Sequence, residues 1–190
     1  MPLEVYLPAV GTGSSTTGAF DAVAHLESLI GRKLDRRLIV ERRSRRKQEL
    51  CGCAPLLPGV PERLAETRRL GLLTAIVTRN RDEWVAGQCE RVGLTHGWDV
   101  VVCANSTPTT DKSELYRRAL VALDVDAVDA AAVEDSPAGV RAARAAGLYC
   151  VAVPNDVTRP ACFDDADVVC PSLEDLSISG LLQRTGTRID

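Results

Sequence analysis

The sequence predicts an α/β fold in which a doubly wound parallel sheet is accompanied by a reduced helical cap. After residue 58, short apolar stretches alternate with helical stretches of about ten residues, an order typical of parallel sheets. The apolar stretches are nearly continuous, as in strands that are covered on both faces. Several of the helical stretches end at a glycine, a common helix terminator.

The individual elements follow in chain order. The helix beginning at Pro61 has proline in its first turn and Gly71 just past its end, an arrangement that favours a helix with defined limits. The same criteria predict helices over Pro61–Leu70, Asp82–Val92, Ser113–Leu123 and Pro137–Ala146. The predicted strands are Leu72–Thr78, Val100–Ala104, Ala130–Glu134, Leu148–Val153 and Ala166–Cys170.

The first part of the chain has a different pattern. We expect a divergent or flexible segment over 1–18, a reduced helical cap over 19–54 and the α/β core over 55–190. The cap consists of two amphipathic helices, Phe20–Ile30 and Asp35–Leu50, and Asp35 is the predicted N-cap of the second. Leu38, Ile39 and Leu50 are expected to give that second helix a face to bury.

Composition excludes several classes of protein. The 190 residues are 45% hydrophobic and 26% charged, which excludes disordered and fibrous chains. No apolar run reaches the ~18 residues of a membrane span, and the start carries no basic region of a secretory signal, so we expect a cytoplasmic protein. Its seven cysteines are then expected to be reduced thiols, and Cys51 and Cys53 lack the partners of a zinc site.

Two carboxylates close the third predicted strand. Glu134 and Asp135 stand where parallel sheets gather their ligands, at the carboxyl end of a strand. Oxygen ligands at that position suit a hard cation such as Mg²⁺, which binds carboxylates and a substrate phosphate together. The alternative is a solvated pair in which Asp135 or Ser136 only caps the following helix.

Four stretches of the sequence resemble the haloacid dehalogenase superfamily, specifically its β-phosphoglucomutase-like phosphatases. The most specific is the run from Glu134 to Gly147, in which a strand, a carboxylate pair and a helix ended by glycine follow one another. The resemblance covers about residues 19–176, and it implies Mg²⁺-dependent phosphoryl transfer from a small phosphorylated metabolite. The four stretches are Leu57–Pro61, Ala75–Asn80, Val133–Gly139 and Arg141–Gly147.

The resemblance also implies roles for individual residues. Thr78 matches the family's second motif, whose hydroxyl binds the phosphoryl group, and Arg79 and Asn80 follow it. Lys112 is the candidate for the family's catalytic lysine, although that lysine would fall at Thr110 by spacing from Tyr116. Glu134 and Asp135 are the implied metal ligands. The alternatives are a turn or N-cap role for Thr78 and an ordinary exposed lysine at position 112.

The family's first motif, Asp-x-Asp-Gly-Thr, is only partly matched. Gly11 and Thr12 are present, but Pro8 and Val10 stand where the nucleophilic and acid/base aspartates belong. Asp21 could replace them only if its helix lay over the sheet. Two hypotheses follow: a phosphatase or phosphomutase with an unrecognised nucleophile, or an inactive relative or truncated gene product that binds phosphate or a protein partner.

A third hypothesis concerns the basic stretch from Arg32 to Lys47. It contains nine basic and two acidic residues, and such a helix could neutralise the phosphates of a nucleic acid. No aromatic residue interleaves the stretch for base stacking and no known nucleic-acid module surrounds it, so the sequence disfavours this partner. We expect the charge to attract a small anionic substrate instead, and we expect no membrane partner.

Overall fold

The computed structural model describes residues 21–106 and 111–185. Contacts divide the chain into two compact units, Met1–Pro55 and Leu56–Asp190. The helices are α1 Ala22–Ile30, α2 Arg36–Gly52, α3 Val60–Arg69, α4 Asp82–Arg91, α5 Lys112–Leu123, α6 Pro137–Ala145 and α7 Ile178–Thr185. The strands are β1 Ala75–Thr78, β2 Val100–Cys103, β3 Ala131–Glu134, β4 Tyr149–Ala152 and β5 Val168–Val169.

The first unit contributes α1 and α2 to the described residues. Asp35 is the N-cap of α2, as predicted, and its carboxylate accepts the amide of Leu38 at 3.0 Å. The prediction that α2 has a buried face is wrong, because no residue of this helix is buried and Leu50 is 55% exposed. Seven arginine and lysine side chains are distributed around the helix and leave no continuous apolar stripe.

The three strand pairs found in residues 21–106 and 111–185 are parallel, as the sequence predicts. Strands β1 and β2 pair with Ala75 opposite Val100, and β3 pairs with β4 with Ala131 opposite Tyr149. Strand β5 extends the second group along the other edge of β4. The strands are shorter than predicted, because the ends of the apolar stretches continue past the residues that pair.

Helices pack on both faces of β4, which confirms the doubly wound arrangement. Along β4, Cys150 and Ala152 point into a cluster with α5 and α6, whereas Val151 points the opposite way, towards Leu181 of α7. This alternation is the two-residue period of a strand. Helix α7 is not among the predicted elements; the amide of Ser179 near its start donates to Glu66 of α3 at 3.1 Å.

The expectation that the strands are covered on both faces is only partly met. Val101 of β2 and Val133 of β3 are 46% and 45% exposed, although each lies in the middle of a strand. Their neighbours in the chain, Val102 and Ala132, are buried under α5 and α6. One face of these two strands therefore remains partly open to solvent.

Helix α5 connects the two groups of strands. Its fully buried Leu115 packs with Val102 of β2, and the adjacent Tyr116 packs in the cluster that contains Ala132 of β3. The first turn of α5 is thereby held beside the carboxyl end of β3. No helix of the described residues has the length and apolar character that crossing a membrane requires.

The cysteines fall into two groups that chemical labelling should separate. Cys103, Cys150 and Cys170 are buried, and burial raises the pKa of Cys103 and of Cys150 to about 12. A thiol with so high a pKa holds its proton at pH 8 and is a poor nucleophile. We expect a thiol reagent at pH 8 to modify only the accessible cysteines of the folded protein, which are Cys51, Cys53, Cys89 and Cys162.

Intact-mass spectrometry checks this expectation. The native protein should gain up to four labels, and the urea-unfolded control should gain seven, one for each cysteine. Rapid labelling of Cys150 in the native state would show that the core around β4 opens readily.

Candidate active site at the carboxyl ends of the strands

Glu134 is a buried carboxylate. It is the last residue of β3 and shares a strand face with Ala132, so α5 and α6 cover it, and its side chain is 4% exposed. A charge in such a place is tolerated only with partners. Oε1 of Glu134 forms an ion pair with Nζ of Lys112 and accepts a hydrogen bond from the hydroxyl of Tyr116.

Both partners come from one face of α5. The carboxylate of Asp111 accepts the amide of Ser113 at 3.0 Å and caps the helix, which places Lys112 in the first turn. Lys112 and Tyr116 are four residues apart and therefore neighbours on the helix surface. Nζ of Lys112 lies 5.7 Å from the centre of the Tyr116 ring, within the range of a cation–π contact. Burial, and then the charge of Glu134, raise the pKa of Tyr116, so its hydroxyl remains a donor.

The structure thus places Lys112 and Glu134 together, although Lys112 lies two positions after the one at which the family's spacing puts the catalytic lysine. Lys112 is 19% exposed on its side chain, so it is not an ordinary exposed lysine. The position that the spacing indicates, Thr110, lies outside the described residues.

The other side of Glu134 lies against the start of α6. The carboxylate lies so close to Gly139 that a β-carbon there would lie 1.9 Å from Oε2. Ser136 is the N-cap of this helix, and its hydroxyl accepts the amide of Gly139 at 3.2 Å. Of the two predicted candidates for this cap, Asp135 and Ser136, the structure has Ser136, which leaves Asp135 for other contacts.

Asp135 is exposed, and among the described residues it accepts a hydrogen bond that the sequence did not indicate. Nδ2 of Asn155, in the loop after β4, donates to Oδ2 of Asp135 at 3.1 Å. The two residues are twenty positions apart, and no periodic pattern relates them. The tendency of asparagine to occupy turns was the one available signal.

Thr78, the last residue of β1, and Asn80 form a separate group. The backbone amide and the side-chain Nδ2 of Asn80 both donate to Oγ1 of Thr78 at 3.1 Å. Arg79 between them is exposed and forms no ion pair with the described part of the chain. Asn105, which the sequence did not indicate, accepts the amide of Asp82 at 2.9 Å and so supports the start of α4.

Comparison with known proteins identifies the family. The sequence profile of haloacid dehalogenase-like hydrolases matches residues 16–153. The chain belongs to this family. The resemblance drawn from the four sequence stretches is therefore confirmed.

Three relatives of this haloacid dehalogenase-like protein illustrate the match. YhcW of Bacillus subtilis, provisionally named a phosphatase, is 30% identical over 99% of this chain and 84% of its own. A mutant of CbbY from Rhodobacter sphaeroides, solved with xylulose-1,5-bisphosphate, is 30% identical with a TM-score of 0.68, over 78% of this chain and 69% of CbbY. The β-phosphoglucomutase of Clostridium difficile shares the fold, with a TM-score of 0.70 at 14% identity over 97% and 81%.

The coverage of other relatives is smaller. The chain spans 57% of the length of the CbbY protein of Cereibacter sphaeroides, at 35% identity.

The region of the family's first motif, with Pro8 and Val10, lies outside the described residues. Asp21, the residue that could replace the first-motif aspartates, has both carboxylate oxygens occupied. The amides of Val23 and Ala24 donate to its Oδ1 at 3.0 Å, and Arg36 pairs with its Oδ2.

The donor set determines whether this family's usual ion, Mg²⁺, suits the site. Glu134 and Asp135 offer carboxylate oxygens, and Mg²⁺ is commonly held by one or two carboxylates together with waters and substrate phosphate. In the described part of the chain no group of three or more His, Cys, Asp or Glu residues is placed to hold a metal. The residues therefore fit Mg²⁺ through two carboxylates and exclude a closed cage built from the described side chains alone.

Proposed function

We propose that this protein carries a Mg²⁺-dependent site for phosphoryl transfer from a small phosphorylated metabolite. Glu134 and Asp135 hold the ion, Thr78, Arg79 and Asn80 contact the phosphoryl oxygens, and Lys112 balances the charge of phosphate and carboxylates. The observation that carries the proposal is the buried Glu134, held by Lys112 and Tyr116 at the end of a strand. Family membership supports the reaction class.

The residues at the carboxyl end of β1 suit an anionic ligand. Oγ1 of Thr78 accepts two hydrogen bonds from Asn80, so its own proton remains available to donate to a phosphoryl oxygen. The exposed guanidinium of Arg79 adds donors with the geometry that suits phosphate. When bound, Mg²⁺ supplies positive charge that orients the phosphoryl group and stabilises its developing charge.

Helices α1 and α2 are the proposed reduced cap. The basic stretch from Arg32 to Lys47 would raise the local concentration of an anionic metabolite, an effect that salt weakens. The same basic stretch attracts acidic proteins as well as anionic metabolites. Charge alone therefore does not define which phosphate ester is used.

A second candidate function is binding without turnover. Residues 1–20 contain no aspartate, so no aspartyl-phosphate forms there, and the carboxylate of Asp21 is used as a helix cap. In this case the site binds Mg²⁺ and a phosphate ester but releases no phosphate.

Phosphate release from a panel of sugar phosphates and an aryl phosphate tests both candidates. For the first, Mg²⁺-dependent turnover by the wild type should fall about a hundredfold or more in Asp135→Ala. Asp156→Ala is the matched control, because this carboxylate is fully exposed and its ion pair within the described residues is with Arg159. Measurable turnover that is equal in wild type and Asp135→Ala would contradict the proposed metal site.

The second candidate gives a different result. The wild type releases no phosphate, yet Mg²⁺ together with inorganic phosphate raises its thermal unfolding midpoint, because ligands that bind only the folded state stabilise it. Asp135→Ala should lose that increase and Asp156→Ala should keep it. Absence of both turnover and stabilisation in the wild type would contradict both candidates.

A further inference from the structure

Asn155 belongs to a loop that is closed by reciprocal hydrogen bonds. Its side-chain Oδ1 accepts the amides of Val157 at 2.9 Å and of Thr158 at 3.1 Å. In return, the backbone amide of Asn155 donates to Oγ1 of Thr158 at 3.0 Å. Thr158 is buried, so the loop is fixed at both ends beside β4.

These contacts determine which way the carboxamide of Asn155 points. Two backbone amides require an acceptor, so the oxygen of the carboxamide must face them and its NH₂ group must face Asp135. The NH₂ group is the donor to Oδ2 of Asp135, at 3.1 Å. The loop therefore presents a donor, and not an acceptor, to the carboxylate.

We infer that Asn155 is a positioning residue for Asp135, an inference that rests on the proposed metal site. Oδ2 of Asp135 is restrained by Asn155, while Oδ1 takes no hydrogen bond from the residues that the structure describes. An exposed carboxylate would otherwise rotate among several orientations. Restraining one oxygen leaves the other available to a cation in a defined orientation, as the outer partners of metal ligands do.

Two variants separate positioning from loop stability. Asn155→Ala removes the donor to Asp135 together with the loop contacts of the side chain. Thr158→Val removes the acceptor of the Asn155 amide and disturbs the same loop, but it leaves the bond from Asn155 to Asp135 in place. Both variants should lower the thermal unfolding midpoint by similar amounts.

The discriminating measurement is Mn²⁺ binding to the full-length protein, followed by the electron paramagnetic resonance signal of free Mn²⁺. We expect Asn155→Ala to weaken binding by about tenfold or more and Thr158→Val to change it less than about twofold. Asp135→Ala serves as the reference for loss of the site. No enzymatic activity is needed for this readout.

The outcomes distinguish the inference from the proposed function. Binding that is lost in Asp135→Ala but unchanged in Asn155→Ala would overturn the inference and leave the metal site standing. Equal weakening in Asn155→Ala and Thr158→Val would also overturn it, since loop stability would then explain both. Binding that is unaffected by Asp135→Ala, or absent from the wild type, would overturn the metal site and the inference with it.

Discussion

Replacing Lys112 with methionine is expected to lower the free energy of unfolding by about 3–5 kcal/mol, the usual effect of removing one partner of a buried ion pair. The reason is the environment of Glu134, whose side chain is 4% exposed and whose ion pair is with Lys112. In Lys112→Met the carboxylate retains the hydroxyl of Tyr116 but loses its compensating charge. Methionine keeps most of the apolar stem, so the change isolates the charge.

Urea unfolding at pH 7 measures this effect, and a double variant controls it. Lys112→Met combined with Glu134→Gln removes both charges, and replacing both partners of a buried pair is often nearly neutral. We therefore expect the double variant to recover most of the stability that Lys112→Met loses. A loss below about 1 kcal/mol in Lys112→Met would show that water reaches Glu134 in the folded protein.

The sequence predicted the elements because their signals are local. Glycine and proline mark the ends of α3 and α6, and continuous apolar stretches mark β2 and β4. Since parallel strands present their carboxyl ends at one edge, the position of Glu134 and Asp135 followed from the strand alone. The family's motifs then assigned chemistry to those positions.

The contacts within the site could not be predicted in the same way. Tyr116 and Glu134 are 18 positions apart, and Asn155 and Asp135 are 20 apart. Which side chains meet across such distances depends on how α5 and the loop after β4 pack, and no local pattern encodes that packing. The shift of Lys112 from the family's spacing is compatible with a bond to Glu134 because the first turn of α5 lies beside the strand end.

The exposure of α2 has a related explanation. Leu38, Ile39 and Leu50 were expected to form a buried face, but burial requires a surface to pack against as well as an apolar residue. Leu38 and Leu50 are 44% and 55% exposed in the structure. A count of apolar residues cannot indicate whether such a surface exists.

Gly139→Ala is expected to destabilise the protein by about 1–2 kcal/mol, although alanine ordinarily stabilises a helix. Within α6, alanine would gain about 1 kcal/mol over glycine from helix propensity alone. Its β-carbon, however, would lie 1.9 Å from Oε2 of Glu134. Glu134 cannot easily move away, because Lys112 and Tyr116 hold its other oxygen. Overpacking of this kind typically costs about 1–3 kcal/mol, and a contact with a carboxylate that is held in place should lie in the upper half of that range, which exceeds the gain.

Gly87→Ala in α4 provides the matched control for this prediction. A β-carbon at Gly87 meets nothing within 4 Å, so this variant should show the helix-propensity gain of up to about 1 kcal/mol. Both variants can be compared with the wild type by urea unfolding. If Gly139→Ala proved as stable as Gly87→Ala, the carboxylate of Glu134 would have to be free to move, and the site would lack the fixed ligand on which the proposed function depends. A loss confined to Gly139→Ala would instead show that Glu134 is fixed in place against the start of α6.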